Sequence, residues 1–199
     1  MRHSIFAAAL LLPASQSLAD GVTPLREALD GLPEVILTNP APELAFFVNV
    51  TAMNTLAPGK STRAWPGAFM RPFEAALESD AQAWAEKAGL PLDDVRFFAG
   101  FGQAPYDVVL WGLKDEAAAS GLIAGLADRG FAPVGLPGVV GNGEPLSQDL
   151  AKADPGDPWL SRVGAPRFAV AQADLVISTT TPEAMPVLLA EGIRPPTTR

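Results

Sequence analysis

Two residue types that carry much of enzyme chemistry are nearly missing from this chain. It has no Cys, and its single His is His3. Without them there is no Ser-His-Asp triad, no Cys nucleophile and no attachment point for a c-type haem. A zinc or copper site made by protein side chains is also not expected, because those metals favour imidazole and thiolate ligands. What remains is carboxylate chemistry, Ser-Lys chemistry, Tyr106, and oxygen ligation of Ca²⁺ or Mg²⁺. No cofactor is expected, and no catalytic residue stands out.

The remaining motifs are short. Asn54-Thr-Leu-Ala-Pro-Gly59-Lys60-Ser61-Thr62 ends like a phosphate-binding GxxxxGK[ST] loop. However, Asn54 replaces the first glycine, and Pro66-Gly67 would break the helix that must follow. An ordinary loop is expected there. Ser-Lys chemistry needs Lys60, Lys87, Lys114 or Lys152 desolvated beside a serine, and no S-x-x-K pattern occurs. Asn49-Val50-Thr51 matches the N-glycosylation triplet but ends an apolar strand. Gly100-Phe101-Gly102 lacks the third glycine of a dinucleotide loop. The aromatic residues Phe97, Phe98, Phe101 and Trp111 read as core.

The candidate binding site is the stretch from Gly141 to Trp159. It is long for a connection without structure of its own, and such loops are often functional. Its candidate residues are Asn142, Glu144, Asp154, Asp157 and Trp159, with Asp149 among the further oxygen donors. The oxygens could hold Ca²⁺, although the spacing is not that of an EF-hand, and Trp159 could stack on a ligand such as a sugar ring. The competing and commoner reading is a linker whose Pro and Asp residues fix turns and whose Trp packs on the core. Trp111 and Trp159 are therefore expected to differ, the first in the core and the second in the site.

The first residues give an address. Arg2 and His3 precede an apolar stretch from Ile5 to Leu12, and Ser17-Leu18-Ala19 supplies small residues at the −3 and −1 positions. Cleavage between Ala19 and Asp20 is expected, leaving residues 20–199 as the exported protein. The apolar stretch is too short to span a bilayer, and no later segment reaches the roughly 20 residues required. The abundance of Ala, Gly and Pro favours a bacterial periplasmic or secreted protein. The formal net charge of −8, one unit more negative once Arg2 is removed, argues against nucleic acid and anionic lipid as partners.

The elements that must position these residues alternate in type. Glu43–Val50, Arg96–Gly102, Val108–Leu113, Arg167–Gln172 and Leu175–Thr180 read as strands, with hairpins at 103–107 and Ala173-Asp174. Helices are expected at 24–29, at 68–77, after a Ser79 cap with Gln82 three residues on, from Asp115 to Arg129, and from Thr181-Pro182 to Gly192. Hairpins mean antiparallel pairing, so the fold class is α+β. The expectation is an antiparallel or mixed sheet of short strands with helices on one face, on the ferredoxin-like split βαβ plan. One domain is expected over 20–199, with a conceivable sub-boundary near Leu90-Pro91. The functional expectation is a non-enzymatic domain that binds a small ligand or a periplasmic protein. The alternative is a cofactor-free hydrolase working through Asp or Glu.

Overall fold

The computed structural model describes residues 24–26, 28, 45–56, 71–102, 106–160 and 163–190. Its centre is strand β3 (Val108–Leu113), buried at every position. Such a strand needs apolar side chains on both faces, and VVLWGL supplies them. β2 (Val95–Phe101) pairs antiparallel on one side of β3, and β7 (Leu175–Thr179) does so on the other. β1 (Ala45–Asn49) adds beyond β2. Beyond β7 come β6 (Phe168–Gln172), β5 (Val140–Gly141) and β4 (Ala132–Pro133). Among the described residues the sheet has seven antiparallel strands in the order β1-β2-β3-β7-β6-β5-β4.

The α+β class and antiparallel pairing agree with the sequence, but the sheet exceeds a simple split βαβ unit. β4 and β5 span two residues each, too short to produce an alternating pattern. β3 and β6 are both antiparallel to β7, hence parallel to each other. The chain between them contains helix α4 (Glu116–Gly125) and leaves a slot that β7 fills.

The helices occupy both faces rather than the one expected. On the first, α1 (Val50–Leu56), α2 (Phe73–Glu78), α3 (Ala81–Ala88) and α4 bury Met53, Phe73, Trp84 and Leu122 against Phe98 and Trp111. On the second, α5 (Met185–Ala190) brings Met185 and Leu188 onto Phe97, Leu110 and Ile177, where helical Ala28 also packs. The alternation along β2 and β3 forces this arrangement, because each strand sends large apolar groups both ways.

Local signals set the helix ends. Asp115 Oδ1 accepts the Ala118 N–H at 2.7 Å, capping α4 as its sequence indicates. α3 starts one residue later than the Ser79 cap implies, with Asp80 Oδ1 accepting the Ala83 N–H at 2.8 Å. The Ser79 hydroxyl donates instead to the Gly156 carbonyl, at 3.4 Å. Asn49, first residue of the glycosylation-like triplet, accepts the Ala52 N–H at 2.8 Å and so caps α1. Asn54 lies within α1 and donates to Asp93 at 3.1 Å, while residues 57–62 of the phosphate-loop-like motif, Lys60 among them, lie outside the described residues. The cleavage segment lies outside them too.

Candidate functional site

The segment leaving β5 at Gly141 and rejoining the sheet at β6 is fastened along its length. At its ends, Asn142 Oδ1 accepts the Arg167 N–H at 2.8 Å, and Asn142 Nδ2 donates to the Trp159 carbonyl at 3.3 Å. In its middle, Asp149 N–H donates to the Val163 carbonyl at 3.1 Å. There the Asp149 carbonyl comes so close to Gly164 that a Cβ would overlap it, and Gly164 has φ +65°. Only glycine satisfies both conditions.

The stretch Asp154 to Trp159 lies in a cradle of cations. Lys87 of α3 binds Asp154 at 2.8 Å. Arg129 binds Asp157 at 2.6 Å. Buried Arg71 donates through Nη1 to the carbonyls of Pro155, at 2.7 Å, and Asp157, at 2.8 Å. Asp157 Oδ1 also accepts the Trp159 N–H at 2.8 Å. The hydrogen bond from Lys87 holds the Asp154 carboxyl below the usual carboxylate range; the Gly156 N–H and the charge of Arg71 act in the same direction, and burial opposes them.

Trp159 is 1% exposed, as enclosed as Trp111 at 0%. The two rings stack at 4.6 Å and 10°, Phe131 meets Trp159 edge-on, and the indole N–H donates to the Ala88 carbonyl at 2.9 Å. The expected difference between these tryptophans is therefore absent: Trp159 leaves its loop for the core because an apolar surface and a hydrogen-bond acceptor await it there. Of the five candidate residues, Asp157 and Trp159 are buried, Asn142 and Asp154 are half-buried, and Glu144 is exposed.

A second polar cluster escaped the sequence reading. Arg167 Nη1 binds Asp107 Oδ2 at 2.6 Å, with both side chains almost fully buried, and Thr180 donates to Asp107 Oδ1 at 3.3 Å. Val108, Thr179 and Phe168 align across β3, β7 and β6, so Asp107, Thr180 and Arg167 form the next row. The available signal was two opposite charges, each immediately before an apolar strand.

The arrangement is suited to holding and displaying a surface. Among the described residues, no group of three or more His, Cys, Asp or Glu is placed to hold a metal ion. Asp107, Asp154 and Asp157 are each paired with a cation. Leu146 and Leu150, by contrast, face solvent on the same segment. Comparison with protein-family models, with curated proteins and with solved structures finds no match to this chain.

Proposed function

We propose that the chain acts after export as a binding domain without catalytic turnover, meeting a polypeptide partner over the outer surface of residues 142–160 and Val163. The observation that carries this reading is the direction in which the segment uses its groups. Asn142, Asp154, Asp157 and Trp159 turn inward and fix the backbone. Leu146 and Leu150 turn outward. Fixing a loop before it meets its partner lowers the ordering cost of association.

The hydrolase alternative is less well supported. A general acid must hold its proton near neutral pH. Asp154 does not suit that role, since the hydrogen bond from Lys87 holds it below the usual carboxylate range, and Asp107 and Asp157 are each engaged in an ion pair with an arginine.

The test is a photo-crosslinking amino acid at position 150, expressed in the producing cell. The expected result is a discrete polypeptide adduct on a protein whose mass begins at Asp20. Absence of any adduct, or an adducted protein retaining Met1, would overturn the reading.

A further inference from the structure

The turn Glu144-Pro145-Leu146-Ser147 contradicts the ordinary preferences of its residues. The Ser147 N–H closes it on the Glu144 carbonyl at 3.1 Å. Pro145 holds the second position at negative φ, and Leu146 holds the third at φ +60°. That combination is a type II turn, whose third position belongs to Gly or Asn. A leucine there strains the backbone and leaves an apolar side chain 48% exposed. The only other described non-glycine residue at positive φ is Ala173, explained by the tight hairpin between β6 and β7.

Four residues on, Leu150 is 73% exposed in a short 3-10 turn. Asp149 fixes that turn by accepting the Ala151 N–H at 3.1 Å, and its own N–H is held by Val163, itself exposed. Leu146, Leu150 and Val163 thus stand on one braced segment, where local stability alone would favour a glycine and polar residues.

We infer that these three side chains are the contact points for an amphipathic polypeptide segment with apolar residues set among Lys and Arg. This rests on the binding-domain reading above. The leucines supply the contact, and the whole molecule sets the sign. On the segment itself Lys152 is already matched by Asp149 at 3.6 Å and Glu144 stands exposed. The chain's formal net charge of −8 becomes one unit more negative on export, so the balance favours a cationic partner over a second copy or an anionic bilayer. Three side chains make a small contact, so the encounter is transient and depends on ionic strength.

The test uses the exported protein and two short synthetic helical peptides, one of Leu and Lys and one of Leu and Glu, followed by calorimetry and amide chemical-shift mapping. The Leu/Lys peptide is expected to bind at 143–152 and 163, more weakly as salt rises. Leu150→Ser should weaken it roughly tenfold, as loss of a central apolar contact does, with no fall in melting temperature. Leu146→Gly should weaken binding while raising the melting temperature, a pairing that misfolding cannot produce. Equal binding to wild type and Leu150→Ser, or shifts mapping elsewhere, overturns the inference. So does binding to phosphatidylglycerol vesicles that Leu150→Ser abolishes. Preference for the Leu/Glu peptide at the same residues overturns the partner chemistry but leaves the binding-domain reading intact. Binding of neither peptide, together with no adduct at position 150, removes both.

Discussion

Trp159 shows how far a single residue can depart from its local context. Its neighbours, Asp-Pro-Gly-Asp-Pro, specify turns and exposure. Its ring is nevertheless enclosed by Trp111, Phe131 and the end of α3. No periodicity foretells this, because the partners lie in three distant stretches of chain. Trp159→Ala should therefore cost about 3–5 kcal/mol, like Trp111→Ala, by burial lost and cavity opened. Paired thermal and urea melts would check it, and a Trp159 change within about 0.5 kcal/mol of wild type would contradict the packing. The buried Asp107–Arg167 pair makes a second residue-scale case. Asp107→Ala leaves a buried guanidinium without its counter-charge and should cost about 3–5 kcal/mol, whereas replacing both partners with apolar residues should cost much less. A double-mutant cycle reads the difference. Asp154 gives a pH dependence. Its folded pKa lies below the ordinary value of 3.8, so its contribution is complete above that value and is lost as pH falls through the folded pKa. The pair is more than a third exposed, which limits the effect to about 0–1 kcal/mol. Asp154→Asn should flatten the acid limb of a pH–stability profile and leave Asp157 to hold the segment.

Elements were legible where their signals are local. The α4 cap at Asp115 and the β2–β3 and β6–β7 hairpins all follow from residues within a few positions of the feature. At α3, Ser79 and Asp80 are both competent caps, and the choice went to Asp80 because the Ser79 hydroxyl meets Gly156, a residue no local pattern connects to it. Asp80→Ala should cost about 1 kcal/mol, while Ser79→Ala should cost less, since its hydrogen bond is long and half-buried. Equal losses by denaturant titration would return the cap to Ser79. Glycine beside Phe at Gly100 signals close packing, and a Cβ there would overlap the Phe46 ring, but Gly112 carries no such local signal. A Cβ at Gly112 would overlap the Phe97 ring on the neighbouring strand, a contact fixed by the β2–β3 register. Gly112→Ala should therefore destabilise by about 1–3 kcal/mol through overpacking, although alanine is otherwise a mild substitution.

At the scale of the whole molecule, composition and strand pattern conveyed the class, and long-range pairing decided the rest. The strands expected at 96–102, 108–113, 167–172 and 175–180 form the middle of the sheet. Its extent depends on β1 joining β2 across an interval containing three helices, and on the two-residue pairings of β4 and β5. The candidate loop was legible as a long ordered connection. Its cradle of Arg71, Lys87 and Arg129 was not, since these lie far apart in sequence. Because β1, from before Leu90, pairs with β2 in the same sheet as β3 and β7, hydrogen exchange under mild denaturant should place β1 in one cooperative unit with β2, β3 and β7. Separate protection of the segments before and after residue 90 would point to two units.

The parallel stack of Trp111 on Trp159 also makes the loop visible to light. Two indoles in such contact couple their transition dipoles, and held at a fixed angle they give a paired positive and negative band in circular dichroism. One ring of this closest pair belongs to β3 and the other to the loop, so the part of the couplet that depends on Trp159 reports attachment of the loop rather than helix or strand content. Trp159→Phe should remove the Trp111–Trp159 contribution, leaving the weaker coupling of Trp111 with Trp84 at 6.0 Å and the peptide bands in place. In wild type, a couplet that fades before those bands would mean that the loop detaches from an intact sheet, whereas simultaneous loss would make the loop part of the cooperative fold.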